Sequence, residues 1–171
     1  MLHPTTRGVA VYGDKVYFAA GEAVLVALDA KTGDEVWSTR VADNAAGYYM
    51  SLAPLVADGK VLIGTSGGEL GIRGYISAFD AATGKELWKS VNADPKKGET
   101  GTGAPIIIKD KVIMGTSGAE FGVRCHVTAY SLADGKKLWR AYSMGPDSDI
   151  LVDPDKTMSL GKPVGKDSSL K

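Results

Sequence analysis

Short apolar runs, separated by turn residues, recur along most of the chain. The first unit has four of them, at 9–12, 15–18, 24–28 and 35–37. β-Branched, aromatic and leucine residues fill these runs, and glycine with aspartate interrupts them. Runs this short are typical of strands, because an amphipathic helix needs a longer stretch with a period near 3.6 residues. The pattern therefore predicts four antiparallel strands in the unit.

The four-strand unit is repeated. Trp37, Trp88 and Trp139 are spaced 51 residues apart in both intervals. Each closes the phrase Ala-x-Asp-x-x-x-Gly-x-x-x-Trp, with Ser131 in place of the aspartate in the third copy. Between residues 50–89 and 101–140, 17 of 40 aligned positions are identical. A four-stranded unit with a period of about 40–50 residues is typical of a propeller blade.

The expected fold class is all-β, a partial β-propeller of about three four-stranded antiparallel blades. The blade repeats cover about 7–40, 50–91 and 101–143 of one domain over residues 1–171. Residues 144–171 show no sustained period, which predicts an irregular tail. We expect each tryptophan to pack between its own blade and the next.

Composition excludes several function classes. Twenty basic and twenty acidic residues give a formal net charge of zero, so no global field favours nucleic acid or an anionic membrane. No apolar run approaches the roughly 18 residues of a membrane span. The single cysteine, Cys125, cannot form an internal disulfide. We therefore expect no nucleic-acid partner and no membrane span.

The tryptophan phrase resembles the docking motif that joins blades in the eight-bladed pyrroloquinoline quinone (PQQ) dependent alcohol dehydrogenases. Similar phrases also occur in cofactor-free scaffold propellers, so the phrase by itself indicates a fold. Two functions stay open at this point. One is a PQQ- and metal-dependent alcohol dehydrogenase, and the other is a non-catalytic repeat propeller that acts as a protein-interaction scaffold.

The loop over residues 115–124, Gly-Thr-Ser-Gly-Ala-Glu-Phe-Gly-Val-Arg, resembles the PQQ-binding loop of the methanol and ethanol dehydrogenases. A small, glycine-containing turn lets backbone amides approach a carboxylate, and a glutamate is a hard oxygen donor for Ca²⁺ or a lanthanide ion. The resemblance implies that Glu120 is the metal ligand. The cofactor-binding residues that it implies are Arg7, Thr102, Ser117, Gly118 and Ala119.

A second copy of this loop covers residues 64–73, Gly-Thr-Ser-Gly-Gly-Glu-Leu-Gly-Ile-Arg. Its alternative metal ligand is Glu69, and its alternative cofactor contacts are Ser51, Ser66, Gly67 and Gly68. The spacing from Arg7 in the family favours Glu69, whereas residues 140–171 resemble the segment after the ligand loop in the lanthanide-type methanol dehydrogenases. We prefer Glu120. Cys125 and His126, which come directly after the third-repeat loop, read as ordinary residues at a strand start.

Four features of the family are missing from this chain, and their absence limits the expected chemistry. The family's adjacent-cysteine disulfide is absent, because residues 1–4 read Met-Leu-His-Pro where it should lie. The matching aspartate base, asparagine ligand and cofactor-stacking tryptophan would all fall beyond Lys171. We therefore expect a partial chain with a duplicated blade, no catalytic residue of its own and no turnover alone.

The resemblance also implies the setting of the reaction. The family oxidises a primary alcohol to the aldehyde in the periplasm and passes electrons to a cytochrome c. The implied cofactors are PQQ and Ca²⁺ or a lanthanide ion, and the implied partners are the alcohol, the cytochrome and the remaining propeller blades.

Overall fold

The computed structural model describes residues 7–66, 71, 73–101, 103–118, 124–143, 158–159 and 162–163. Twelve of its strands form three four-stranded antiparallel sheets. In each sheet the strands lie side by side in chain order, as in an up-and-down meander. We call the sheets blades 1, 2 and 3. This arrangement confirms the predicted all-β fold class.

The strands of blade 1 are β1 (Val9–Tyr12), β2 (Lys15–Ala20), β3 (Val24–Asp29) and β4 (Glu35–Arg40). Those of blade 2 are β5 (Leu55–Ala57), β6 (Lys60–Gly64), β7 (Gly74–Asp80) and β8 (Glu86–Ala93). Those of blade 3 are β9 (Ile106–Ile108), β10 (Lys111–Gly115), β11 (His126–Ser131) and β12 (Lys137–Tyr142). Short 3-10 turns, Asn44–Ala46 and Pro95–Lys97, precede blades 2 and 3. The predicted irregular tail contains a two-stranded pair, β13 (Met158–Ser159) with β14 (Lys162–Pro163).

The turn before the last strand of each blade explains the aspartate and glycine of the repeated phrase. The Asp29 carboxylate accepts hydrogen bonds from the backbone N–H groups of Lys31 and Thr32, at 2.8 and 2.9 Å. These bonds hold the pKa of Asp29 below its usual value. The turn ends at Gly33, whose φ of +79° disfavours any side chain. The third copy keeps the backbone bond from Gly135 N–H to the Ser131 carbonyl, at 2.9 Å, without the carboxylate.

Each tryptophan with a following blade docks onto that blade's turn glycine. The Trp37 indole donates to the Ala81 carbonyl at 3.2 Å, and the Trp88 indole donates to the Leu132 carbonyl at 3.1 Å. A Cβ added at Gly84 would lie 2.6 Å from the Trp37 ring. The interpretation of the tryptophan as a residue packed between adjacent blades is confirmed for these two joints.

The hydrophobic core lies between the blades. Residues of blades 1 and 2 form one buried cluster, which includes Tyr17, Leu25, Ile63 and Phe79. Residues of blades 2 and 3 form the second cluster, around Trp88. Trp88 is 8% exposed, whereas Trp139 is 44% exposed. Blade 2 is therefore covered on both faces.

Candidate functional site

Those predicted site residues that the structure describes lie at one end of the blades. In blade 3 the register pairs Ile106 with Ile113, so the start of β9 and the end of β10 meet at the same edge. Blade 2 repeats this arrangement with Leu55 opposite Leu62. Segments that enter the first strand therefore lie beside the loops that come after the second strand. We call this edge the loop end of each blade.

Ser117 and Gly118 form a tight cradle at the loop end of blade 3. Ser117 and Thr100 exchange backbone hydrogen bonds of 2.8 and 2.9 Å, and their hydroxyl oxygens lie 3.0 Å apart. Gly118 is buried, with φ +131°, and a Cβ there would overlap the Gly98 carbonyl. Only glycine fits at this position. The cradle places a serine hydroxyl beside closely packed backbone.

The second copy has the same backbone arrangement with other side chains. Ser66 N–H donates to the Tyr49 carbonyl at 2.9 Å, which is the blade 2 counterpart of the Ser117–Thr100 bridge. Arg7 is exposed, and its backbone N–H donates to the Ser51 carbonyl at 3.1 Å. This bond ties the entry to blade 1 to the entry to blade 2. The structure therefore brings Arg7 next to Ser51, and Ser117 next to Thr100.

Several predicted site residues lie outside the described residues. They are Thr102, Ala119 and Glu120 of the third repeat, and Gly67, Gly68 and Glu69 of the second. Both alternatives for the metal ligand, Glu120 and Glu69, thus stay predictions. Among the described residues, no group of three or more histidine, cysteine, aspartate or glutamate side chains is placed to hold a metal ion.

A buried polar network behind the blade 3 cradle was missed by sequence reasoning. His126 begins β11, as expected, but its ring is 1% exposed and therefore not an ordinary strand-start side chain. Its Nε2 lies 3.7 Å from Glu99 Oε1, and its Nδ1 lies 3.0 Å from Thr128 Oγ1. Arg140 Nε–H donates to the same hydroxyl at 3.0 Å. Burial first, and then the charge of Arg140, lower the pKa of His126, so its neutral form is favoured.

Two clefts open away from the loop end. One, of about 400 Å³, is lined by Asp58, Asp110 and Leu132, and the other, of about 250 Å³, by Asp14, Gly59 and Asp80. Both lie at the hairpin turns of adjacent blades. Among the described residues, none of the predicted site residues lines either cleft. The candidate site is therefore identified by the residues of the loop motif and not by the size of a cleft. No helix in the described part of the chain is long and apolar enough to cross a membrane.

Two relatives are similar in sequence to about half of the chain. The lanthanide-dependent methanol dehydrogenase of Methylorubrum extorquens is 63% identical over 94 residues, which are 55% of this chain and 16% of that protein. The lanthanide-dependent methanol dehydrogenase of Methylacidiphilum fumariolicum is 52% identical over 99 residues, 58% of this chain and 15% of that protein. The matched segment thus spans less than a fifth of these relatives.

Solved structures show the same blade arrangement over more of the chain. A europium-containing methanol dehydrogenase has a TM-score of 0.70 and 39% identity, covering 86% of this chain and 26% of that one. The quinohemoprotein alcohol dehydrogenase ADHIIG of Pseudomonas putida has a TM-score of 0.70 and 25% identity, covering 80% and 26%. A family model, PQQ_2, described as outer membrane protein assembly factor BamB, matches residues 2–159. The chain therefore belongs to the PQQ_2 family and is related within it to the methanol and alcohol dehydrogenases.

Proposed function

We propose that the loop end of this chain forms part of the PQQ- and metal-binding wall of a periplasmic alcohol dehydrogenase. The whole protein would oxidise a primary alcohol to the aldehyde and use cytochrome c as the acceptor. The observation that carries the proposal is the tight Ser117–Gly118 cradle in a chain whose relatives include methanol dehydrogenases. Since the matched segment spans 16% of the first of these relatives, the activity is proposed for the whole protein and binding for this chain.

The described residues fit a planar, carboxylate-bearing quinone. The Ser117 and Thr100 hydroxyls are hydrogen-bond donors and lie together at the cradle. Gly118 has no Cβ, so the loop backbone packs directly against the Gly98 carbonyl and keeps the cradle tight. Arg7 supplies a permanent guanidinium charge that suits a carboxylate or a quinone oxygen. PQQ, when bound, supplies the two-electron acceptor, and these residues bind and orient it.

Glu120 is the oxygen donor that we propose for the metal. A carboxylate suits Ca²⁺ and lanthanide ions, which prefer oxygen ligands. We prefer Glu120 to Glu69 because the short Thr100 side chain places its hydroxyl 3.0 Å from that of Ser117 in the blade 3 cradle, where blade 2 has the larger Tyr49.

A binding titration tests the proposal. The purified chain is titrated with PQQ in the presence of La³⁺ or Ca²⁺, and the cofactor absorbance is followed. We expect saturable, metal-dependent binding that Glu120→Gln weakens by about tenfold or more, as for loss of one charged contact worth roughly 1.5–3 kcal/mol. Glu69→Gln is the matched control and should leave the affinity unchanged. The converse pattern would assign the site to blade 2.

The second candidate is a non-catalytic scaffold. The matching family model is described as an outer membrane protein assembly factor, and this description favours a protein-interaction role. The same titration separates the two functions. If neither the unmodified chain nor its Glu69→Gln variant binds PQQ with either metal, the scaffold is the better proposal.

A further inference from the structure

The two joints between blades are built from equivalent positions but differ in polarity. In the joint of blades 1 and 2, four of these positions are occupied by Val41, Tyr48, Tyr75 and Phe79. Fifty-one residues later, in the joint of blades 2 and 3, they are occupied by Asn92, Glu99, His126 and Tyr130. Since the first joint forms the same sheets with apolar and aromatic side chains, the fold does not require the polar set.

Asn92 holds the strand that leads into the blade 3 cradle. Its Nδ2 donates to the Gly115 carbonyl at 3.1 Å, and the Tyr130 hydroxyl lies 3.1 Å from its Oδ1. Gly115 ends β10, two residues before Ser117. Val41, at the equivalent position of the first joint, has no side-chain donor for this contact. The hydrogen bond from this side chain to the strand end before the loop is therefore specific to blade 3.

Glu99 ties the preceding turn to the far end of the same loop. Its Oε2 accepts from Asp94 N–H at 2.9 Å, which fixes the turn that carries Gly98. The Gly98 carbonyl is the group against which Gly118 packs. The other oxygen of Glu99 faces His126, the residue at which the chain re-enters the sheet. One carboxylate thus connects the wall of the cradle with the start of β11.

His126 lies against Thr128 with one ring nitrogen and faces Glu99 with the other. Its Nδ1 is 3.0 Å from Thr128 Oγ1, which also accepts a hydrogen bond from Arg140 Nε–H at 3.0 Å. Its Nε2 is 3.7 Å from Glu99 Oε1, too far for a direct hydrogen bond, and is buried without a hydrogen-bond partner among the described residues. The second joint thus sets an imidazole against a carboxylate where Tyr48 and Tyr75 of the first joint make a ring contact at 6.0 Å.

We propose that Asn92, Glu99 and His126 are positioning residues that fix the Ser117–Gly118 cradle for the cofactor, so that the blade 3 loop, and not its blade 2 copy, is the binding loop. This inference rests on the proposed PQQ-binding function. Directional contacts among buried polar groups confer a defined geometry, at a cost in free energy where a group stays unpaired, as His126 Nε2 does among the described residues. The three residues contact the loop at both of its ends and at its wall.

Hydrogen exchange of the cofactor-free chain tests the positioning role without any ligand. The double variant Glu99→Tyr/His126→Tyr introduces the two tyrosines of the first joint. Asn92→Val is a second, independent variant. We expect the Ser117 amide to exchange about tenfold faster in each, as for a weakened local structure, while the Ser66 amide of blade 2 is unchanged. His126→Gln keeps an N–H donor and should retain the protection of Ser117. Tyr75→Phe is the matched control in the first joint.

PQQ titrations of the same variants complete the test. We expect the affinity to fall in Asn92→Val and in the double variant and to be retained in His126→Gln. Unchanged exchange at Ser117 in both Asn92→Val and the double variant would overturn the positioning role, whatever the titration shows. Failure of the unmodified chain to bind PQQ would instead count against the proposed function, and faster exchange at Ser117 would still support the role of the network in shaping the loop.

Discussion

The tryptophan joint makes the substitution Gly84→Ala informative. Gly84 is the turn glycine of blade 2, and its φ is +71°. A Cβ there would lie 2.6 and 2.7 Å from two ring carbons of Trp37 and 2.8 Å from the Thr39 hydroxyl. Thr39 also donates to the Gly84 carbonyl at 2.8 Å, so the ring and the hydroxyl are both held against this turn. The methyl group has no space unless Trp37 moves.

Two costs add for this variant. A non-glycine residue in the left-handed region costs about 1–2 kcal/mol. Overpacking of a well-filled contact costs about 1–3 kcal/mol more. Gly33→Ala separates the two costs, because Gly33 occupies the same turn position in blade 1 with φ +79° and has nothing within 4 Å of its added Cβ. We expect Gly33→Ala to lower the free energy of unfolding by about 1–2 kcal/mol and Gly84→Ala by about 2–5 kcal/mol.

Urea unfolding of the unmodified chain and of both variants, followed by tryptophan fluorescence and far-ultraviolet circular dichroism, measures the difference. Trp37 emission in folded Gly84→Ala should also shift, since its ring loses the contact with the turn. Equal free energies of unfolding for the two variants would refute the docking argument, because only backbone strain would then remain. A larger loss in Gly33→Ala than in Gly84→Ala would likewise contradict the docking argument.

Further predictions use the same contrast between equivalent positions. Trp88→Ala should lower the free energy of unfolding by about 3–5 kcal/mol, as for a buried aromatic residue, whereas Trp139→Ala, at a 44% exposed position, should lower it by about 1 kcal/mol in the same urea assay. His126 should make stability depend on pH. Burial and the charges of Arg140 and Lys137 lower the pKa of His126 from 6.5 in the folded chain, although Glu99 raises it. As the pH falls, the unfolded chain therefore takes up the proton first. Stability should therefore be complete above about pH 6.5 and decrease as the pH falls below it. His126→Tyr should flatten this dependence in urea titrations between about pH 7.5 and 5.5, and an unchanged slope would show that another group is responsible.

The blade fold could be predicted because its main contacts are encoded at a fixed phase. Trp37 and Trp88 each meet a turn glycine near the middle of the next copy of the phrase, so one repeated pattern specifies both partners of a joint. The Asp29 turn is likewise local, since the carboxylate bonds amides two and three residues ahead. Local turns and periodic docking need no knowledge of distant contacts.

The candidate site was predicted less completely because its supporting contacts are not periodic. The motif indicated Ser117 and Gly118, and the structure adds the bridge to Thr100 and the packing against Gly98. Glu99 and His126 are far apart in sequence, and neither belongs to a motif. One signal could have found them: both positions are tyrosine in the preceding repeat, at Tyr48 and Tyr75, and both change together to an acid and an imidazole.

This paired change from tyrosines to Glu99 and His126 indicates that the two joints differ in function. Where Tyr48 and Tyr75 pack, a joint needs only apolar area, and rotamer adjustments there leave the blades together. Where Glu99 and His126 face each other, Glu99 holds the turn before the cradle and Asn92 holds the strand end at Gly115. A loop that binds a rigid cofactor gains affinity from such preorganisation, because less ordering remains to be done on binding. The polar joint therefore supports Glu120, two residues after the cradle, as the metal ligand in preference to Glu69.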